Sequence, residues 1–424
     1  MSKPIKSLTD VYSHNFYDMD IDSFWSTSER KELKAHRIHA YPAKFPAFIS
    51  EKALAYAEQR SFYPQTIADV FCGCGTVAFE AKRKNIDFWG CDINPVATMI
   101  AKVKSNHYDL VTLNKMFKTI LSRFHDIAIP DYLYDNALNR LKYWYFENEY
   151  NNLFKLKQAI DEITRPTSKY RLFFYCAFSN ILKSTSRWLT KSIKPQIDPN
   201  KVPADVSKAF FIQCQTMISA YSEADVYNHS KTKIITGNFL KIRKPKVDMI
   251  ITSPPYVTSY EYADLHQLSS LWLGFTEDYR SLRSGSIGTL SHHSNFEMNI
   301  ACLSHIGKMV IKRLHQKDKK QAHSVAKYFA DMQHVIQECA TMLNPDAYFV
   351  FVIGDTEYRS IHIENARYTV ELMLQNEFKN VSITKRKVSK KILTPYRDSF
   401  GRFTANASSR RVYGEEFIIL GQKA

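Results

Sequence analysis

The chain has 424 residues, of which 45% are hydrophobic and 24% charged, and its formal net charge is +16. Such a length holds one large core or two smaller ones, and the balance is that of a soluble globular protein. The sequence lacks the long apolar run of a membrane span and has a polar start, Met1–Asp10, so no membrane partner is expected and the cytoplasm is the expected location.

The excess of positive charge points to a polyanionic partner, nucleic acid before membrane. The seven cysteines are scattered, mostly in apolar stretches, which reads as reduced and packed. Cys72 and Cys74 form Cys-x-Cys without a second Cys/His pair at zinc-ligand spacing, so no metal site is expected.

In chain order, residues 1–29 read as a polar N-terminal arm with a few aromatics, Phe16, Tyr17, Phe24 and Trp25. His36–Ile49 is a loop with two prolines that leads into a helix. Thr66–Phe71 is a strand that runs into Gly73-Cys74-Gly75, and Thr76 opens a helix. Glycines there let the backbone approach a ligand over the helix N-terminus. A second strand, Phe88–Cys91, ends in Asp92, placed to bond ribose hydroxyls. The pattern Asp69-x-Phe71-x-Gly73-x-Gly75 lacks the third glycine of a dinucleotide fingerprint and keeps a carboxylate, Asp69, before the turn. A cationic amine suits that carboxylate better than a pyrophosphate does, which favours S-adenosylmethionine over NAD.

Residues 106–231 lose the strand–helix rhythm and read as a helical insertion with its own small core. The sheet resumes at Lys233–Thr236, where Asn238 is either an adenine-edge contact or a turn residue.

Met249–Ile251 then ends a buried strand at Thr252-Ser253-Pro254-Pro255-Tyr256. Proline donates no backbone hydrogen bond and restricts the residue before it, so the turn is stiff. Pro254 offers a carbonyl and Ser253 a hydroxyl, two acceptors suited to an exocyclic amino group. Accepting both hydrogens frees the nitrogen lone pair for attack, and Tyr256 supplies a flat face for an extruded base. A strand end of this kind is where an open α/β sheet places its site.

Beyond Gly274, Lys308–Lys327 is a basic helical stretch with seven Lys/Arg against Asp318. An amphipathic helix Val325–Leu343, a strand Ala347–Ile353, a helix Thr369–Asn376 and strands near Asn380–Ile383 and Glu416–Gly421 complete the sheet. Residues 379–411 carry ten Lys/Arg against Asp398, interleaved with Tyr396, Phe400 and Phe403. Cations and aromatics on a loose segment suit phosphate contact and stacking, which nominates Lys385, Arg386, Lys387, Lys390, Lys391, Arg397, Arg402, Arg410 and Arg411 for DNA.

Together these residues resemble the S-adenosylmethionine-dependent DNA amino-methyltransferases, in the Ser-Pro-Pro-Tyr variant usual in N4-cytosine enzymes. Tyr41-Pro-Ala-Lys-Phe45 is similar to the segment that family places around the methionine end of the cofactor, implying contacts from Tyr41, Lys44 and Phe45. Asp69-Val-Phe-Cys-Gly-Cys-Gly-Thr76 resembles its cofactor loop, and Cys91–Ala97 its second-strand motif, with Asp92 and Ile93 at the nucleoside. Thr252–Tyr256 matches the catalytic motif, implying roles for Ser253, Pro254, Pro255 and Tyr256.

The resemblance implies an α/β fold with a Rossmann-like, seven-stranded sheet made by residues 30–105 and 232–424, acting on double-stranded DNA, with a restriction endonuclease as possible companion. The cofactor loop precedes the catalytic motif here, whereas many N4-cytosine enzymes have the reverse order. Either the helical insertion or the basic C-terminal segment is the target-recognition region. Adenine-N6 enzymes, which mostly carry Asp where Ser253 stands, are the alternative, and an RNA substrate is the next. A protein-glutamine substrate needs no basic field of this size.

Overall fold

A computed structural model of the chain describes residues 2–26, 31–42, 44–190, 192, 194–224, 229–257, 261–287, 295–388, 396–397, 403–404, 410–411 and 414–424. Its centre is an eight-stranded sheet. In chain order the strands are β1 (Lys3–Pro4), β2 (Thr66–Asp69), β3 (Asp87–Asp92), β4 (Thr232–Thr236), β5 (Val247–Thr252), β6 (Leu343–Ile353), β7 (Phe378–Lys387) and β8 (Glu415–Lys423).

Across the sheet they run β1-β7-β8-β6-β5-β2-β3-β4. Strands β4, β3, β2, β5 and β6 are parallel, and β8 is antiparallel to both β6 and β7. The chain winds outward from β2 through β3 to β4, then crosses back to β5 on the other side of β2. The cofactor loop after β2 and the Pro-Pro turn after β5 therefore leave neighbouring strands at the switch point, where open α/β sheets bind ligands.

Asp248 fixes that neighbourhood at the opposite end. Its carboxylate accepts the backbone N–H of Gln65 (2.9 Å) and Thr66 (3.0 Å) and the Asn344 amide (2.8 Å), tying the starts of β2, β5 and β6. Alternation along β6 divides the core between the two faces. Phe349, Phe351 and Ile353 join the cluster under helices His305–Lys317, Lys319–Met342 and Asn365–Gln375, while Val350 and Val352 join Ile67, Met249 and Ile251 under helices Ala47–Glu58 and Thr76–Arg83.

The sheet has one strand more than the seven expected. The extra strand is β1, and with Ile5, Val11, Phe16 and Trp25 buried, the described part of the N-terminal arm is packed into the fold. Residues 106–231 contribute helices Leu110–Asp126, Asn139–Trp144, Glu147–Ile163, Lys169–Ile181 and Val206–Ala224 around a separate core. That core also takes in Ile38, Leu268, Leu271 and Trp272, so the insertion is fused to the catalytic half. The basic stretch 308–327 is two helices, broken at Asp318 (φ −158°), whose carboxylate caps the second through the Gln321 N–H at 3.0 Å.

Candidate active site

The loop after β2 is built to stay open above its helix. Gly73 and Gly75 hold φ of +46° and +75°, in the left-handed region that glycine enters without strain. A Cβ on Gly75 would stand 2.6 Å from Ala101 Cβ, so this glycine also permits close approach of helices Thr76–Arg83 and Pro95–Ser105. A Cβ on Gly73 would meet the Tyr41 ring at 3.7 Å, which places Tyr41 as the wall over the loop. Tyr41 stacks on His266 (centroids 5.1 Å apart, 18°), and Tyr262 continues the stack at 6.4 Å.

Two carboxylates lie beneath. Asp92 accepts the Gly73 N–H (3.0 Å) and the Asn94 N–H (2.8 Å), so it shapes the loop. Asp69 accepts the Thr252 hydroxyl at 2.6 Å and the Phe71 N–H at 3.1 Å. Burial pushes Asp69 up to about 7, with Asp92 adding like-charge repulsion, and burial pushes Asp92 up to about 6. Two neighbouring buried carboxylates held in that way suit a cationic ligand. Thr76 Oγ1, buried at the helix start, has no partner among the described residues and adds a donor for that ligand. The residues present therefore fit a nucleoside that carries positive charge, as S-adenosylmethionine does.

The Thr252–Asp69 bond couples this pocket to the Pro-Pro turn. Thr252 is fully buried and Pro254 buried, while Ser253, Pro255 and Tyr256 are half-exposed. Tyr256 lies against Gly354 at the end of β6, where a Cβ would come within 3.0 Å of its ring. Burial raises its phenol well above the ordinary range; Glu416 adds to this, whereas Arg386 and Ser253 oppose it. Those four groups form one cluster from three strand ends.

The nominated residues divide accordingly. Asp69, Gly73, Gly75, Thr76, Asp92 and Tyr41 gather at the loop, and Ser253–Tyr256 adjoin them through Thr252. Phe71 packs into the main core near Phe239 (6.4 Å). Ile93 and Asn238 face each other across Gly285: a Cβ there would be 3.4 Å from both. Asn238 donates to Gly285 O at 3.1 Å and caps the following turn through the Leu240 N–H at 2.9 Å, so in this structure it serves the turn.

Three of the nominated residues have partners within the fold. Lys44 bonds Glu32 (2.8 Å) and His36 O (3.1 Å). Phe45 packs on the apolar cluster that joins helix Ala47–Glu58 to Cys72, Val77 and Ala78. Arg386 is no surface cation: it is 3% exposed, and both its Nε (3.1 Å) and Nη2 (2.5 Å) donate to Glu416 Oε2. Lys385, half-buried, donates to Tyr17 O at 2.8 Å, and Lys387 is exposed. Arg397, Arg410 and Arg411 lie on a small three-stranded sheet with residues 403–404; Lys390, Lys391 and Arg402 lie outside the described residues.

Sequence reasoning missed the partners that position the site. Thr252 was passed over inside its own motif, and His266, Tyr262, Gly354 and Glu416 carry no local signal. The insertion also reaches the site, since Ser179 bonds His39 (2.9 Å) and Ser269 (2.7 Å), and Asn180 accepts the Ala40 N–H (2.9 Å). Burial lowers His39 to about 4 and His266 to about 3; the His266 ring is the one stacked on Tyr41, and His39 holds Ser179.

This strand order, with a nucleoside loop after β2 and a stiff Pro-Pro turn after β5, defines an S-adenosylmethionine-dependent methyltransferase. The chain belongs to the N6/N4 DNA methylase family, whose profile matches residues 4–103 and 247–420. The two matched blocks flank the helical insertion. Among similar curated proteins, the Type II methyltransferase M.MvaI of Kocuria varians is 23% identical over 78% of this chain and 79% of its own. Type II methyltransferase M.AvaI of Nostoc is 21% identical over 86% and 82%. Type II methyltransferase M.BsoBI of Geobacillus stearothermophilus is 26% identical over 52% and 50%.

Proposed function

We propose that this chain is a site-specific Type II modification enzyme that methylates the exocyclic N4 of cytosine in duplex DNA. The observation that carries the reading is the Ser253-Pro254 turn at the switch point, held to the nucleoside pocket by the 2.6 Å Thr252–Asp69 bond. S-adenosylmethionine, when bound, supplies an electrophilic methyl group. Asp69 offers the counter-charge for its ammonium, Asp92 accepts from its ribose, and Tyr41 with Thr76 closes the remaining sides.

On the DNA side, an extruded base rests against Tyr256, whose ring is braced by Gly354 and the Arg386–Glu416 pair. Ser253 Oγ and the Pro254 carbonyl accept the two amino hydrogens, which pulls the nitrogen lone pair out of ring conjugation. Orientation supplies most of the rate, because the reacting atoms are held in line in a site with little water. Serine at this position, in place of a carboxylate, favours cytosine N4 over adenine N6. Lys387 and the cations Lys390, Lys391, Arg397, Arg402, Arg410 and Arg411 suit the phosphate backbone, since in sequence they lie between Arg386 and Glu416, the pair beside Tyr256. The similarity to Type II methyltransferases favours pairing with a restriction endonuclease that reads the same site.

Replacing Ser253 with Ala tests the mechanism. Removing one acceptor forfeits ~1.5–3 kcal/mol in the transition state, roughly a ten- to hundredfold fall in kcat. Cofactor affinity is expected to stay within about twofold. Full turnover in that variant sinks the assignment.

A further inference from the structure

Directly after β6, residues Thr356–Tyr358 and Ile361–Ile363 form a two-stranded hairpin whose register leaves Arg359 and Ser360 as a two-residue turn. Both have positive φ, 47° and 63°. A turn with two left-handed residues is met most readily by Asn-Gly, and Arg-Ser there is strained. Strain at a loop tip is tolerated where the side chains serve another purpose.

The position suggests that purpose. The hairpin leaves the end of β6 at Gly354, the residue against which Tyr256 rests. It thus stands on the same edge as the catalytic turn. Arg359 is 59% exposed; its guanidinium touches Asp318 (3.3 Å) and Lys317 O (3.2 Å), two contacts for a group with five donors. Tyr358 bonds Asp318 at 2.9 Å and fixes the tip on the end of helix His305–Lys317. That helix packs on the hairpin's second strand and exposes Lys308, Lys312, Arg313 and Lys317. His362, half-exposed, pairs with Asp355 at 3.0 Å. Residues 305–320 and 355–363 carry seven Lys/Arg against three carboxylates, Asp318, Asp355 and Glu357.

We propose that this hairpin and the exposed face of helix His305–Lys317 form a second DNA-gripping wall, in which Arg359 contacts a backbone phosphate beside the extruded nucleotide. The proposal rests on the methylase acting on DNA and adds a surface that holds the duplex beside the catalytic turn. It also gives the basic run 308–327 a role beyond that of a solvated helix face.

The decisive variants are Arg359→Gly and Arg359→Asn, because each suits the left-handed turn better than arginine does. Both are expected to melt no lower than the unaltered protein and to bind labelled S-adenosylmethionine unchanged. Duplex affinity, read by fluorescence anisotropy, is expected to fall severalfold, and the slope of log affinity against log salt to drop by about one, the signature of one lost phosphate contact. Lys312→Ala, at an exposed position, is expected to act in the same direction. Unchanged duplex affinity and salt slope in Arg359→Gly overturn the proposal, as does a lowered melting point with DNA binding intact. If the unaltered protein itself neither binds nor methylates duplex DNA, the failure lies with the substrate reading instead.

Discussion

Replacing Thr252 with Val keeps the shape of a fully buried side chain and deletes the hydroxyl that donates to Asp69 at 2.6 Å. Asp69 already sits at about 7 because burial disfavours its charge, and Thr252 is the larger of the two donors that oppose the rise. A hydrogen bond to a charged group contributes ~1.5–3 kcal/mol, which at 1.36 kcal/mol per unit is roughly one to two units. The variant should therefore carry Asp69 at about 8 to 9. Only the ionised carboxylate attracts the cofactor's ammonium, so affinity rises with pH through that value. Calorimetric titration of S-adenosylmethionine from pH 6 to 9 is the assay. Near pH 7 the variant is expected to bind roughly five- to fiftyfold more weakly, with the gap closing above pH 9. The ligand's own titration is common to both proteins and cancels in their ratio. A ratio that does not vary with pH would refute the coupling of the catalytic turn to the cofactor carboxylate.

Other outcomes follow from the same geometry. Asp69 and Asp92 have folded values of about 7 and about 6, above their ordinary 3.8, so their contribution to stability is full below about pH 4 and is lost as pH rises to 7. Asp69→Asn should then flatten the fall in denaturant midpoint between pH 4 and 7, and an unaltered slope contradicts the buried acid. Asp92→Ala removes the acceptor for the Gly73 and Asn94 N–H groups; it should raise KM for S-adenosylmethionine at least tenfold while kcat at saturation changes little, since ~1.5–3 kcal/mol is forfeited in binding. Gly75→Ala combines a φ of +75° with a 2.6 Å approach to Ala101 and should cost ~2–4 kcal/mol in urea unfolding.

What the sequence disclosed was local. The apolar strands β2, β5 and β6, the Gly73–Gly75 turn and the Pro254-Pro255 stop all follow from neighbours within a few residues, and the order of these elements implied the sheet. What stayed hidden depends on distant partners. β1 is the pair Lys3-Pro4, which shows no apolar pattern and exists because β7 offers an edge. Arg386 read as one cation in a run because its partner, Glu416, lies on the adjacent strand β8, thirty residues away. Asn238 has two meanings in sequence, and its bond to Gly285, 47 residues away, is not among the signals around it. Lys44 and Phe45 stand with Tyr41 in one motif, and the bond from Lys44 to Glu32 has no trace in that motif. The helical insertion was recognised as a unit, but its grip on His39 and Ala40 through Ser179 and Asn180 has no trace in spacing.

The most direct measurement is mass spectrometry of nucleosides from duplex DNA incubated with the protein and methyl-labelled S-adenosylmethionine. Labelled N4-methylcytosine is the expected product, lost in the Ser253→Ala variant. Labelled N6-methyladenine would preserve the chemistry of the turn and contradict the base assigned to it. No label on any duplex, with the cofactor bound, would contradict the central claim.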